Sequence, residues 1–385
     1  MRICVIVDCY LPSTKSSAKL VHDLAVEFRR LGHEPLVVAP DDALEVPSRE
    51  TLEDGVRVFR IRTNRIKGAG LLRRGWNEMR LSSVIWKAGR DFFRANPCGL
   101  GVFYSPSIFF GALVRRLKAL WGCRSYLILR DIFPQWALDA GVLRRGPAYW
   151  CFKWKERAQY RAADVIGVQS LANLKYFAGK PHRVEVLYNW TTLEDPPPAA
   201  HDYRREWGLE GKIVFFYGGN IGVAQDMDNV MRLAQGLASD SRVAFLLVGE
   251  GSEVPRLKRT APPNLQIRDA VTQEEYAGMV GQFDVGLVSL DRALKTQNFP
   301  GKMLSYMLAR LPILASTNPG NDVIQLIESE GAGLVSINGN DALFLDHARR
   351  LAGDEKLRGE MGGKGRALLE RRFSVASAAR QILGP

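Results

Sequence analysis

Apolar and polar positions fall in blocks along this chain, and the blocks have two characteristic lengths. Short continuous apolar runs, rich in β-branched residues, recur at 3–7 (ICVIV), 35–39 (PLVVA), 56–61 (VRVFRI), 100–105 (LGVFYS), 125–130 (SYLILR), 164–169 (DVIGVQ) and 184–189 (VEVLYN). Between them the spacing is helical, as in SAKLVHDLAVEFRRLGH (17–33), where Gly32 supplies the expected C-terminal stop. The stretch TTLEDPPPAAHDYRR then continues neither a helix nor a central strand, so it reads as a linker. A second series follows at 212–219 (KIVFFYGG), 243–249 (VAFLLVG), 265–270 (LQIRDA), 284–290 (DVGLVSL), 311–316 (LPILAS) and 331–337 (GAGLVSI). Unbroken apolar strands alternating with helices predict parallel sheets covered on both faces. The fold class is therefore α/β: two doubly wound domains facing across a cleft, with ligands at the carboxyl ends of the strands.

Composition changes this picture in few places. At 385 residues the chain is too long for one ordinary core, which agrees with two domains. No apolar run is long enough to span a bilayer; the best candidate, SPSIFFGALV, is short and runs into RRLK. The N-terminus lacks the pattern of a secretory signal, so a cytoplasmic location is expected. Five cysteines, odd in number and matching no metal spacing, are expected to be buried free thiols.

Charge is more informative when divided. Residues 1–195 hold 31 Lys and Arg against 19 Asp and Glu, whereas residues 196–385 hold 22 against 22. Within the basic half, residues 57–94 carry eleven basic and two acidic residues, and 143–161 (LRRGPAYWCFKWKERAQYR) mixes cations with aromatic rings. That mixture suits an anionic membrane surface, the alternative being a solvated basic face. No signature of a nucleic-acid-binding module is present.

Candidate chemistry lies in the strand-to-helix turns. The first, DCYLPSTKSSAKL, has no glycine, which weighs against a nicotinamide-binding turn. It offers Lys15, Ser16 and Ser17 before a helix instead. In the second half YGGNIG (217–222) and VGEGSEVPRLK (248–258) are glycine-rich turns suited to a nucleotide, although tight turns also need glycine for conformational reasons alone. A third turn, FPGKML, places Pro300 as at a first helical position, followed by Gly301 and Lys302. A diphosphate there would meet a helix dipole and a lysine together, the alternative being an ordinary surface lysine.

These motifs, with RICVIVDCYLP, LRDIFPQWALDAGVL (129–143), YNW (188–190), LLVGEGSE, FDVGLVSL and FPGKMLSYMLARLPILAS, resemble retaining GT-B glycosyltransferases of family 4 along nearly the whole chain. The nearest branch resembles bacterial O-antigen and capsule enzymes, including those that add N-acetylfucosamine or related sugars. The resemblance implies a GT-B architecture of two Rossmann-like domains. Residues 1–195 would form an acceptor-binding, membrane-facing domain and 196–370 a nucleotide-sugar-binding domain. A terminal helix over 371–385 would cross back to the first. It further implies a UDP-sugar donor, an acceptor saccharide on undecaprenyl diphosphate, and metal-independent transfer with retention. Cations and helix dipoles would then stabilise the leaving diphosphate, with no cofactor or metal.

The chain departs from the family pattern at several positions. Arg130-Asp131 stands where a histidine-aspartate pair is common, and an arginine cannot shuttle a proton near neutral pH. Asn220 and Asp226 fall near the places where many members of the family have an arginine and a lysine, so Lys302 and Lys295 become the candidates for the phosphates. Gln297 and Ser305 occupy the positions of an acidic pair; Ser305 is read either as a neutral ribose contact or as a packing residue. The expected site is then Asp131, Arg130 and Lys302 at the reacting centre. Donor contacts fall to Gly219, Asn220, Gly222, Gly249, Glu250, Lys295, Gln297, Pro300, Gly301 and Ser305, and acceptor contacts to Lys15, Ser16, Ser17 and Asn189. Glu250 and Asn189 are read equally as local caps, and no histidine is assigned a role.

The expected function is a glycosyltransferase on the cytoplasmic face of the inner membrane. It would move an N-acetylated deoxy amino sugar onto a lipid-linked surface polysaccharide. The rivals are a GT-B-fold UDP-sugar 2-epimerase and a non-catalytic nucleotide-sugar or membrane-binding protein.

Overall fold

The strands form two sheets, each in its own unit of a computed structural model. It describes all residues except 14, 65–70, 106, 140–142, 197, 295–299 and 385, and omits the side chains of 16, 71–74, 139, 323 and 324. The first unit comprises Met1–Thr191 with Val375–Pro385, and the second Thr192–Ser374.

The first sheet contains β1 (Arg2–Ile6), β2 (Glu34–Asp41), β3 (Ser48–Glu53), β4 (Val56–Arg62), β5 (Leu100–Tyr104), β6 (Arg124–Leu129), β7 (Val165–Val168) and β8 (Val184–Val186). Its order is β3-β4-β2-β1-β5-β6-β7-β8. All pairings are parallel except β3 with β4. Alternation along β1 shows why the run is apolar throughout. Ile3 and Val5 join a core on one face, while Cys4 and Ile6 join a separate core on the other. The helix Val375–Leu383 packs into the first of these cores through Ala378, Ala379 and Ile382. It is tied in where the Val375 amide donates to the Thr191 carbonyl at 3.0 Å.

Strand β3 has no counterpart in the apolar pattern. Its sequence, SRETLE, is largely exposed at the sheet edge, so it buries too little to show alternation. The signal that does exist is the Asp54-Gly55 pair, both at positive φ (48° and 75°), which is the hairpin turn joining β3 to β4.

The second sheet contains β9 (Ile213–Gly218), β10 (Val243–Val248), β11 (Leu265–Arg268), β12 (Val285–Ser289), β13 (Ile313–Thr317) and β14 (Gly333–Ile337), in the order β11-β10-β9-β12-β13-β14. Every pairing is parallel. In both sheets the strand order reverses beside the first strand, between β1 and β5 and between β9 and β12. Doubly wound sheets bind ligands at such reversals, outside the strands' carboxyl ends. Among the described residues, no helix is long and apolar enough to cross a membrane.

Candidate functional site

In the second domain three turns that are far apart in sequence meet at the carboxyl ends of β9 and β10. The YGGNIG and VGEGSE turns pack backbone on backbone. The Gly219 amide donates to the Val248 carbonyl at 2.9 Å, and the Ile221 amide to the Glu250 carbonyl at 2.8 Å. A Cβ on Gly249 would lie 1.9 Å from the Gly219 oxygen, and one on Gly251 2.2 Å from the Ile221 oxygen, so this close approach demands glycine.

Lys302 arrives from the third turn. Its ammonium sits 3.4 Å from the centre of the Tyr217 ring and within 3.7 Å of where a Cβ of Gly219 would stand. Its nitrogen is enclosed by protein although part of the side chain reaches the surface, and this burial alone pulls its pKa down to about 7. Such an enclosed ammonium, with no carboxylate beside it among the described residues, gains from an anion placed next to it.

The helix entrance differs from the sequence expectation. The helix Lys302–Leu308 begins two residues after Pro300, with Gly301 as its N-cap, and has only seven residues. Pro300 therefore stands just ahead of the helix, its carbonyl accepting from the Met303 amide at 3.1 Å. So short a helix adds little dipole, and the ammonium carries the electrostatics.

The other expected donor residues divide clearly. The Asn220 amide group donates to Gln225 Oε1 at 2.8 Å, and the Gly222 amide donates to the same oxygen at 3.1 Å, so both shape the turn. Glu250 has an exposed side chain and serves the turn through its carbonyl. Asp226, at a position where a lysine is common in the resemblance, accepts from Asn338 Nδ2 at 2.9 Å and fixes the turn to the end of β14. Ser305 faces the buried Tyr276 hydroxyl, which is the packing alternative of its two readings. Lys295 and Gln297 lie outside the described residues.

Sequence reasoning missed the aromatic floor. The Tyr306 hydroxyl accepts from the Gly218 amide and donates to the Leu287 carbonyl, each at 3.2 Å, clamping β9 to β12. Tyr217 hydroxyl donates to the Asn220 carbonyl at 2.6 Å, and burial pushes both phenols up. The one available signal was a tyrosine at the start of YGG. Also missed were Ser316 and Thr317 at the end of β13, whose buried hydroxyls have no hydrogen-bond partner among the described residues.

In the first domain a cavity of about 420 Å³ opens at the carboxyl ends of the strands. Residues following β1, β2, β5 and β6 line it, with Arg60 and Thr63 from the end of β4 and Glu78 from the helix Leu71–Ala95. Asp131 and Lys15, both expected from sequence, are on its wall. Asp131 is open to solvent at the mouth, yet surrounding protein raises its carboxyl above the ordinary value, with Arg130 opposing the rise. Ser17 stands behind the wall, its hydroxyl 3.3 Å from the sulfur of lining residue Cys9, and the Ser16 side chain is outside the described set.

Arg130 is turned inward. Its guanidinium is buried, donates to the Leu187 carbonyl at 2.5 Å and the Tyr188 carbonyl at 3.3 Å, and stacks 5.1 Å from the Trp190 ring. It braces the segment after β8 and is not among the cavity-lining residues, while its charge acts on the neighbouring Asp131 carboxyl. Asn189, in the braced segment, does not line the cavity either.

His22, given no role from sequence, links Tyr10 to Asp54. Its Nδ1 is hydrogen-bonded to the Tyr10 hydroxyl at 2.8 Å, and its Nε2 lies 3.0 Å from the Asp54 carboxylate. This chain fixes the Tyr10 ring on the cavity wall. Among the described residues no three His, Cys, Asp or Glu side chains gather as metal ligands.

Comparison with known proteins agrees with this geometry. Residues 17–190 match the glycosyl transferase 4-like domain, and residues 211–354 match glycosyl transferases group 1. The chain is 27% identical over 235 residues to the probable glycosyltransferase WbjE of Pseudomonas aeruginosa, covering 56% of this chain and 57% of that protein, little more than half of it. It is 25% identical to a GDP-mannose-dependent alpha-mannosyltransferase of Mycobacterium tuberculosis, covering 74% and 72% of the two chains. The structure of Anabaena HepE with UDP and glucose superposes with a TM-score of 0.64 at 15% identity, covering 100% and 98%. The two domain matches together span most of the chain, and the protein belongs to the GT-B glycosyltransferases.

Proposed function

We propose that this glycosyltransferase takes a sugar from a UDP-sugar held by its second domain and transfers it, with retention and without a metal, to a lipid-linked saccharide held by its first. The observation that carries the reading is Lys302, an enclosed ammonium over Tyr217 and Gly219 with no carboxylate to offset its burial among the described residues. A diphosphate beside it would restore its charge, and the same cation would stabilise the diphosphate as it leaves. Asp131 on the cavity wall would accept a hydrogen bond from the acceptor hydroxyl. The saccharide transferred is an N-acetylated deoxy amino sugar of O-antigen or capsule type, in keeping with the sequence resemblance.

Exposed aromatic residues beside cations support attachment to an anionic membrane surface. On the helix Pro147–Ala162, Trp150 and Trp154 are 57% and 63% exposed, and Lys155 lies over the Trp154 ring. On the helix Leu71–Ala95, Trp76 is 64% exposed beside Arg80. Such rings enter the headgroup layer while cations meet phosphates.

The test is turnover of radiolabelled UDP- and GDP-sugars, with and without lipid-linked acceptors from membrane extracts. The GDP arm is included because one relative is named as GDP-mannose-dependent. Transfer from a UDP-sugar that collapses in Lys302→Ala is the expected result. Acceptor-free isomerisation of the UDP-sugar would replace this reading with an epimerase, and UDP binding without any turnover would replace it with a binding protein.

A further inference from the structure

Among the described residues, the charges lining the first domain's cavity are opposite in sign to the domain around it. Five carboxylates line it, those of Asp8, Asp41, Asp42, Glu78 and Asp131. They come from the ends of β1, β2 and β6 and from the helix Leu71–Ala95, so only the tertiary fold assembles them. Among the described residues two cations also line it, Lys15 and Arg60. The Arg60 guanidinium is already committed. It donates to both oxygens of Glu53, at 2.8 and 3.0 Å, and to the Leu11 carbonyl at 2.5 Å. Asp8 and Glu78 are engaged in interactions of their own, which leaves Lys15, exposed at the N-cap of the helix Ser16–Arg30, against Asp41, Asp42 and Asp131.

The rest of the wall is aromatic. Tyr10, Phe109, Phe133 and Trp136 line the cavity, with Trp136 44% exposed and its ring 6.1 Å from that of Phe133. A pyranose ring offers apolar C–H faces to such rings and hydroxyls at its edge. Carboxylates accept hydrogen bonds from adjacent hydroxyls, and more strongly from an ammonium. A ligand carboxylate or phosphate would lose water here and gain like-charged neighbours.

We infer that the cavity accepts a saccharide end that is neutral or amine-bearing and rejects one bearing a uronate or phosphate. The inference rests on the transferase reading above and narrows it to an acceptor class. It also divides labour within the first domain. The carrier's diphosphate stays outside the cavity, where the basic helices lie, and the sugar enters.

Saturation-transfer NMR on the full chain with methyl glucoside, methyl glucosaminide and methyl glucuronide tests the ranking. The first two are expected to bind, and the glucuronide at least about tenfold more weakly. In D41N/D42N that gap is expected to shrink to within about threefold. Trp136→Ala, an exposed ring whose removal leaves the core intact, is expected to weaken all the glycosides that bind together. Glucuronide binding as tight as the others, a gap unchanged in the double variant, or no binding of any glycoside would overturn the inference. UDP binding, measured in the same samples, reports on the second domain. Its loss would break the donor assignment while leaving the glycoside ranking to be judged separately.

Discussion

The carboxyl ends of the two sheets solve opposite electrostatic problems with the same topology. In the second domain the site is glycine-rich and, among the described residues, holds a single enclosed cation, Lys302, within a domain half whose charges balance. In the first the site is lined by carboxylates and aromatic rings, within the half that carries the whole basic excess. Net charge therefore says little about the sign of a pocket. A long helix face displays cations cheaply in water, whereas a pocket must match its ligand at close range, where the dielectric is lower and each charge counts for more.

Four changes would break or sharpen this contrast. The largest effect is expected from Lys302→Ala, which removes the enclosed cation over Tyr217 and should lower donor turnover by about a hundredfold or more. Lys302→Arg should not restore it, because a planar guanidinium does not reproduce a point charge over Tyr217. Steady-state kinetics with the labelled donor decides both, and normal turnover in Lys302→Ala would remove the electrostatic role of the second site.

Next comes the backbone cradle. Gly249→Ala drives a methyl into the Gly219 carbonyl and should cost about 3 kcal/mol of stability, whereas Gly301→Ala meets nothing within 4 Å and should be near neutral. Denaturant melts of the two variants, with intact thermal cooperativity as a control, measure the difference.

The third is pH. Lys302 titrates near 7 when free, and a bound diphosphate raises that value, so binding takes up a proton. UDP affinity should thus be flat below pH 7 and fall about tenfold per pH unit above it until the bound form titrates. Without ligand the sign on stability is the reverse. Between about 7 and the ordinary lysine value of 10.5 the unfolded chain binds more protons, so Lys302 makes the fold more stable as pH rises through that window. Calorimetric titration across the range checks the first statement, and a flat profile in Lys302→Ala confirms its source.

The smallest expected effect belongs to the outer surface of the first domain. Replacing Trp150 and Trp154 by serine should weaken binding to anionic vesicles severalfold, by roughly 1 kcal/mol or more, with a change in stability within about 0.5 kcal/mol. Vesicle flotation with and without anionic lipid would show it. Undiminished binding would place the basic excess in another role.

Much of the fold was legible because it is written in local period. Ile3 to Val7 and Phe215 to Gly218 are apolar at every position because both faces of their sheets are covered. The edge strand β3 was illegible for the converse reason: at an edge, a polar strand needs no pattern. Of the site, Lys302 and Asp131 were legible as polar residues at strand-to-helix turns, and each lies at the carboxyl end of its sheet. The direction of Arg130 was not legible, because sequence gives a side chain's position but not where it points, and here it points inward, to Leu187 and Tyr188.

By itself, then, the sequence determined the order of the buried strands and the helices between them, the linker, the glycine turns and the charge division, since each depends on residues that are neighbours in the chain. Tertiary structure alone decided which distant residues meet. It brought Lys302 onto Tyr217, put four carboxylates beside Asp131 in one cavity, and turned Ser305 toward Tyr276. The physical reason is that chemistry at a site depends on separations of a few ångströms, and these are set by how strands order and pack in a sheet, which no local period encodes.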